Sequence, residues 1–245
     1  MKLRVLGTAV SFSIALAACG GGNTGNMPMP GPGSSEYNMQ AGINNMVAMG
    51  LTSNVNLSGT VNVSGVSTPF TGSGTYVRQI AAAGSFDGAA AMSQVATITG
   101  TITAAGQTSP YSTSVVDYFS SGNSELLGED QGGEYDVAQA PLVYPGMIVG
   151  GSTGTLGTLS RYTDKTMSVS LGTVQVSYSV MSPVDPGSPI AFSFTYQIYD
   201  THNTLTETDV MTYGMSPVPS SEINFISASA QRPSGTLMVS STGPS

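Results

Sequence analysis

A period of two in side-chain character, running from residue 55 almost to the end of the chain, is the feature that most restricts the fold. Apolar residues alternate with Ser, Thr and Gln in Met167 to Leu171, Val174 to Val180 and Phe192 to Ile198. Successive side chains of a strand point to opposite faces, so this pattern is typical of antiparallel strands with one buried face. We predict about ten to twelve strands and an all-β fold, either an antiparallel β-sandwich or a barrel.

Two segments of this β region, residues 55–70 and 96–111, repeat one another without gaps. The matched turn and bend positions are Gly59 with Gly100, Gly65 with Gly106, and Pro69 with Pro110. Glycine inside a strand commonly marks a bulge or a strong bend. We therefore predict an internal duplicated hairpin unit. The alternative is that Gly- and Thr-rich strands resemble one another through composition alone.

The first 18 residues have the pattern of a secretion signal. Lys2 and Arg4 supply the positive region, and the apolar stretch from Val5 to Ala18 is too short to cross a bilayer comfortably. It runs into Leu16-Ala17-Ala18-Cys19-Gly20, which resembles the lipobox of bacterial lipoproteins. The resemblance implies cleavage after Ala18, a diacylglyceryl thioether on Cys19 and an N-linked acyl chain such as palmitate.

The residue after the cysteine is Gly20 rather than Asp, which in lipoproteins of this kind implies transport to the outer membrane. Several acyl chains make a stable anchor, because each buried CH₂ contributes about 0.8 kcal/mol. The expected partner is therefore a membrane, reached through the lipid. Residues 19–35 are the acylated cysteine and a Gly- and Pro-rich flexible linker, which leads to a domain over 36–245. Beyond the lipobox the chain has only the general character of uncharacterised proteobacterial lipoproteins.

Two segments of this domain depart from the strand pattern. Residues 36–50 predict a short helix, ended by Gly50, because apolar residues recur at helical spacing. These residues are Met39, Ile43, Met46 and Val47. Residues 121–136 are rich in Gly, Asn and acidic residues, and they predict a long loop. A division of the domain near 125–135 is the alternative to one large β domain.

Charged residues are scarce and mostly acidic. The chain has 6 Lys and Arg, 14 Asp and Glu and one His, which gives a net charge of -8. It cannot present the basic surface that nucleic-acid binding needs. One cysteine and one histidine do not supply a Cys/His zinc site. We expect no nucleic-acid partner, no metal and no cofactor.

Calcium binding by the acidic segment is the metal alternative. Hard oxygen ligands on a Gly-rich loop suit Ca²⁺, but their spacing matches no EF-hand loop. The favoured interpretation is a solvated acidic loop. The acids concerned are Glu125, Glu129, Asp130, Glu134 and Asp136.

A serine hydrolase is the catalytic alternative. Residues 150–154 read Gly-Gly-Ser-Thr-Gly and fit the nucleophile-elbow pattern, with Ser152 as the nucleophile. The base would be His202, and Asp200 or Asp209 would complete the set. The helix that should follow an elbow is not indicated, so we favour a turn serine and a turn histidine that hydrogen-bond locally.

The remaining polar residues offer little for catalysis, which needs titratable groups with shifted pKa values in a cleft. We expect the tyrosines to pack at strand edges with their hydroxyls outward. These are Tyr76, Tyr111, Tyr118, Tyr178, Tyr196, Tyr199 and Tyr213. The predicted function is therefore a lipid-anchored envelope protein, not an enzyme, with a structural or interaction role toward an unknown protein or small molecule. The alternative is a carrier that holds a small apolar ligand in a barrel cavity.

Overall fold

A computed structural model of the chain describes residues 36–63, 65–183, 185 and 187–243. The predicted signal segment 1–18, Cys19 and the linker to residue 35 lie outside the described residues. Within the described ranges the chain forms fifteen strands and one helix. In chain order they are β1 (Tyr37–Asn38), α1 (Met39–Met49), β2 (Leu51–Val63), β3 (Val66–Arg78), β4 (Ala82–Phe86), β5 (Ala89–Ala104), β6 (Gln107–Phe119), β7 (Leu126–Asp130), β8 (Tyr135–Leu142), β9 (Met147–Ile148), β10 (Thr153–Tyr162), β11 (Ser170–Val180), β12 (Ile190–Tyr199), β13 (Leu205–Met215), β14 (Ile223–Arg232) and β15 (Gly235–Ser241).

Twelve of the described strands close into one antiparallel barrel. Each barrel strand pairs with the barrel strand before it in the chain, and β15 returns to pair with β2. β4 pairs with the first residues of β5 and branches from the barrel wall. The all-β prediction is confirmed, and of the two predicted architectures the chain adopts the barrel. The strands on both sides of residues 125–135 belong to this same closed sheet.

The predicted duplication corresponds to two hairpins with the same register. Gly59 lies opposite Phe70 in the hairpin of β2 and β3, and Gly100 lies opposite Tyr111 in the hairpin of β5 and β6. At both glycines a Cβ atom would overlap with a backbone carbonyl oxygen of an adjacent strand. The duplicated hairpin unit is confirmed, and its glycines let neighbouring strands approach closely at the bend.

The prediction of a long loop over residues 121–136 is wrong. β7 lies inside this segment and pairs with both β6 and β8. A short turn joins β7 to β8, closed by the Gln131 amide, which donates to the Glu134 carbonyl oxygen at 3.0 Å. β7 has five residues and includes Gly128, so its alternation is too short to stand out from the polar sequence around it.

The predicted helix is confirmed as α1, which covers one end of the barrel. The Asn38 side chain accepts a hydrogen bond from the Ala41 amide at 2.9 Å and caps its N-terminus, and Gly50 ends it at a φ of 73°. Its buried residues are Met39, Gly42, Ile43, Met46 and Val47. We call this end, which includes the ends of β3 and β13 and the start of β14, the helix end, and the opposite end the far end. None of the helices in the described ranges is long and apolar enough to cross a membrane.

The two faces of the barrel wall differ in chemistry. The outward face carries rows of hydroxyl side chains, such as Thr97, Thr99, Thr101 and Thr103 on β5. The inward face carries the apolar core, which is densest at the helix end. Its largest buried members include Tyr37, Phe119, Phe192, Tyr213 and Phe225.

Candidate binding chamber

The barrel interior contains a cavity of about 40 Å³, which we call the chamber. This volume has room for about three water-sized groups. Its apolar lining comes from β5, β6, β13 and β14 and consists of Ala96, Ile98, Val115, Met211, Phe225 and Ala228. Its polar lining includes the charged residues Arg78, Asp117 and Glu129.

Arg78 is the centre of a buried polar network on the chamber wall. Its Nη1 lies 2.6 Å from Asp117 Oδ2 and donates to Gln94 Oε1 at 2.9 Å. Its Nε donates to the Tyr76 hydroxyl at 2.8 Å. Gln94 in turn donates to the carbonyl oxygen of Met46 on α1 at 3.0 Å. The network therefore joins the chamber to the helix, and the arginine already has three partners.

Glu129 is the carboxyl group of the chamber that lacks an arginine of its own. It is 5% exposed, and its Oε2 accepts a hydrogen bond from Gln131 Nε2 at 3.3 Å. Burial raises the pKa of Glu129 well above its usual value, the charges of Asp117 and Asp136 raise it further, and Arg78 partly opposes them. Glu129 therefore holds a proton at pH values where an exposed glutamate is ionised.

A second group of charges lies on β8 and β10. Arg161 donates to Glu134 through Nη2, and its Nε lies 3.8 Å from Asp136 Oδ1. Asp136 is 1% exposed, and neither of its oxygens has a hydrogen-bond partner among the described residues. Burial, with a smaller contribution from the charge of Glu134, raises the pKa of Asp136 to about 7, although Arg161 lowers it.

A third group lies on β13 and β14, where Arg232 Nε donates to Glu207 Oε1 at 2.5 Å. Asp209 faces inward beside this pair and is fully buried, close to the carboxyl of Glu207. Burial raises the pKa of Asp209 well above its usual value, and the charge of Glu207 adds to the effect. Burial also raises the pKa of Glu207, against the charge of Arg232.

The three groups share one composition, an arginine paired with a carboxylate and a second carboxyl nearby, and in the second group Arg161 also lies 3.8 Å from that second carboxyl. Six carboxyl groups thus accompany the three arginines of the described residues. A buried carboxylate without a counter-charge takes up a proton, because desolvation disfavours its ionised form. The groups are Arg78, Asp117 and Glu129; Arg161, Glu134 and Asp136; and Arg232, Glu207 and Asp209.

The structure does not bring the predicted hydrolase residues together. Ser152 lies in a turn at the helix end, where its Oγ accepts a hydrogen bond from the Val149 amide at 3.2 Å. His202 lies in the turn after β12 at the far end, with its side chain 87% exposed and its Nδ1 3.8 Å from Asp200 Oδ2. Asp209 points into the barrel. The local turn roles that the sequence favours are those observed.

The acidic segment is not solvated as predicted. Glu129 and Asp136 lie inside the barrel, and Glu134 pairs with an arginine. Asp130 lies on the other face of β7, 2.9 Å from Lys165 Nζ. The alternation of β7 sends Glu129 and Asp130 to opposite faces, whereas Glu129 and Asp136 lie opposite one another inside the barrel. Within the described residues no three His, Cys, Asp or Glu side chains come together in a way that could hold a metal ion.

Several tyrosines also differ from their expected outward placement. Tyr76 and Tyr213 are buried inside the barrel with their hydroxyl oxygens 3.4 Å apart. Tyr196 lines the chamber. Burial raises the pKa values of Tyr76 and Tyr196. All three tyrosines lie at inward-facing positions of the alternation in β3, β12 and β13, which places them in the interior.

The sequence contains a signal for the charged residues that our prediction missed. Three charged residues lie on the same face of their strand as a buried aromatic residue. The pairs are Arg78 with Tyr76 in β3, Asp117 with Phe119 in β6, and Asp209 with Tyr213 in β13. A charged residue at the apolar phase of a strand is a candidate for the interior. In a chain with 6 basic residues, the phase of each arginine is informative.

The fold and the site together define a closed, up-and-down antiparallel β-barrel with ion pairs in its interior. Comparison of the chain with protein-family models and with curated proteins gives no match. Among solved structures, a DUF1329 family protein from Desulfovibrio piger aligns with 83% of this chain and 91% of its own, at 8% identity and a TM-score of 0.24. A TM-score this low does not establish a common fold.

Proposed function

We propose that this protein is a lipid-anchored, non-catalytic binding protein of the cell envelope that holds a small ligand in the chamber of its barrel. The observation that carries the proposal is the chamber itself, a cavity lined on one side by apolar residues and on the other by Arg78, Asp117 and Glu129. Binding sites commonly combine an apolar lining with a few convergent polar groups.

The size of the chamber restricts the ligand. Pockets for drug-sized molecules measure about 300–1,000 Å³, whereas the chamber measures about 40 Å³. A fatty chain therefore does not fit, and the ion pair on the wall disfavours a purely apolar ligand. We accordingly replace the apolar ligand of the carrier prediction with a small molecule or ion that carries a polar group.

Two arrangements support a binding role over a catalytic one. The lone histidine lies at the end of the barrel opposite the candidate nucleophile Ser152. The chamber has space for a few atoms and none for the attacking water and sugar ring that paired carboxylates would need for glycoside hydrolysis. Anchoring through Cys19 at the outer membrane rests on the lipobox, and the described chain begins at the helix end, where β1 pairs with β9.

A binding screen tests the chamber. The full chain is heated with compounds of at most about three non-hydrogen atoms, chosen as cations, anions and neutral molecules, and its unfolding midpoint is measured. We expect at least one class to raise the midpoint. Ala228→Leu, which fills the chamber, should abolish the response, and Ala140→Leu on the exposed wall should retain it. A response that persists in Ala228→Leu, or a screen with no response, would contradict the proposal.

A separate measurement tests the anchor. The intact mass of the chain isolated from membranes of a diderm host should correspond to a protein that begins at Cys19 and carries fatty acid. Cys19→Ser should carry no fatty acid, and any chain whose signal is cleaved elsewhere should appear in the soluble fraction. A mature chain without fatty acid would overturn this part of the proposal and leave the chamber untouched.

A further inference from the structure

The described interior of the barrel contains more carboxyl groups than positive charges, and the excess is distributed along it. Arg78, Arg161 and Arg232 each pair with one carboxylate. Glu129 and Asp209 have no arginine of their own, and Asp136 shares Arg161 with Glu134, at 3.8 Å from its Nε. All three carboxyls are at least nine-tenths buried. This excess sets the sign of any charge that the interior can accept.

Unpartnered oxygen atoms give independent evidence that the protein alone does not satisfy this interior. Neither oxygen of Asp136 has a hydrogen-bond partner within the described residues, and Asp209 is buried beside the Glu207 carboxyl, which raises the pKa of Asp209. A buried polar atom left without a partner costs about 1–3 kcal/mol. Both side chains belong to the inward face that also carries Glu129, and the charge of Asp136 acts on Glu129 directly.

We propose that the ligand of the chamber is a small monovalent organic cation of the ammonium type, bound by the Glu129 carboxylate; this inference rests on the proposed binding function. Three features of the lining fit such a cation. Glu129 supplies the counter-charge. Tyr76, Tyr196 and Phe225 place aromatic rings around the space, and such rings attract cations.

The same lining disfavours an anion. Arg78 is the cation on the chamber wall, and it already contacts Asp117, Gln94 and Tyr76. An anion would have to displace one of these partners and would lie beside Glu129. A cation instead takes the place of the proton that Glu129 holds in the empty chamber, so binding releases a proton. The other charged or titratable groups that act on Glu129 or respond to its charge are Arg78, Asp117, Asp136, Tyr144 and Tyr196.

Four small probes separate the effect of charge from the effect of size. Methylammonium, formate and formamide each fit a space for about three heavy atoms, and they carry positive, negative and no charge. Tetramethylammonium keeps the positive charge and exceeds the space. The affinity of the full chain for each probe is measured by calorimetric titration between pH 6 and pH 8. We expect methylammonium alone to bind, with an affinity that rises up to tenfold per pH unit, because the carboxyl must lose its proton first.

Two variants assign the effect to the chamber. Glu129→Gln keeps the shape of the side chain and removes its charge, so methylammonium should bind at least tenfold more weakly, as expected for loss of a charge-assisted contact. Glu222→Gln changes an exposed acid and should bind as the wild type does. Unfolding curves of both variants confirm that they fold.

Each outcome has a defined meaning. Binding of formate or formamide in preference to methylammonium would overturn the cation inference and leave the binding function standing. Equal methylammonium affinity in wild type and Glu129→Gln would overturn the assignment to this carboxylate. If no probe binds, and no compound of the screen shifts the unfolding midpoint of the wild type, the proposed binding function itself fails.

Discussion

The helix end and the remainder of the barrel interior are built from the same alternating strands, yet they are filled in different ways. At the helix end, Met39 and Ile43 of α1 belong to one apolar core with fully buried residues such as Ile190 and Met215. Directly beside this core, and reaching the end of β3 at Arg78, long charged and aromatic side chains surround the chamber. An eight-stranded barrel is just wide enough for side chains to fill it. A barrel of twelve strands has a wider interior. In this protein a helix fills one end of that interior, and buried ion pairs occupy part of the remainder.

The comparison shows that one repeat pattern carries two kinds of information. The alternation specifies which residues face inward. The chemistry of those inward residues decides whether a part of the interior is apolar core or polar chamber. Gln94 joins the two regions, because it bonds both the helix backbone at Met46 and the side chain of Arg78. We therefore expect the regions to differ in mutational sensitivity and in pH dependence.

The largest effect should come from breaking the ion pair on the chamber wall. Arg78→Met leaves Asp117 buried without its partner, and such a change costs about 3–5 kcal/mol in the free energy of unfolding. Lys165→Met breaks an exposed pair with Asp130 and should cost less than about 1 kcal/mol. Urea unfolding of both variants measures the difference. Equal losses would show that the buried pair has no special role.

Truncation in the helix should have a comparable effect through packing alone. Ile43→Ala removes a side chain that is 1% exposed, and such cavities cost about 2–5 kcal/mol. Met49→Ala, on a residue that is 73% exposed, should change the free energy of unfolding by less than about 0.5 kcal/mol. A mild effect of Ile43→Ala would mean that α1 contributes little to closing the barrel.

The pH dependence of stability separates the two regions. The pKa of Asp136 is raised in the folded state to about 7, so its contribution is present at low pH and is lost as pH rises through 7. We expect the free energy of unfolding to fall by about 2–3 kcal/mol between pH 5 and pH 8 from this residue. Denaturant unfolding at each pH measures this fall. The free energy of unfolding of Ile43→Ala should fall by the same amount as that of the wild type, because the substitution changes no titratable group.

Asp136→Asn is the matched test of that slope. The amide cannot ionise, so the variant should lose much less stability between pH 5 and pH 8 than the wild type. Glu222→Gln, at an exposed acid, should follow the wild-type curve. A stability that rises with pH would contradict the charge arrangement described for the interior.

The smallest predicted effect concerns the start of the helix. Asn38→Ala removes the oxygen that accepts from the Ala41 amide, and loss of such a cap costs about 1 kcal/mol. Asn56→Ala, on the exposed outer wall, is the control and should be neutral within about 0.5 kcal/mol. A neutral Asn38→Ala would show that packing alone positions α1.

The fold was largely predictable from local sequence, whereas the chamber was not. Alternation indicates strands, and the Gly59 and Gly100 repeats indicate the two hairpins in the register observed. Barrel closure depends on β15 pairing with β2, a contact between the two ends of the domain that no local pattern encodes. β7 is too short for its alternation to be seen against acidic residues.

The chamber depends on pairing across strands that are far apart in sequence. Arg78 meets Asp117 and Arg161 meets Glu134 only after the sheet is assembled in register. The phase of each charged residue predicts that it faces inward, but the identity of its partner follows from the order of the strands. Sequence counts of acids and bases therefore suggested a solvated acidic loop where the protein has buried ion pairs.

The most direct test of this account is a titration of the side-chain carboxyl carbons by nuclear magnetic resonance, assigned with Glu129→Gln, Asp136→Asn and Asp209→Asn. We expect all three carboxyls to titrate at a higher pH than exposed Asp and Glu do, Asp136 at about 7, and methylammonium to remove the proton of Glu129. Titration of all three in the range of exposed Asp and Glu, or a Glu129 signal that methylammonium leaves unchanged, would contradict this arrangement.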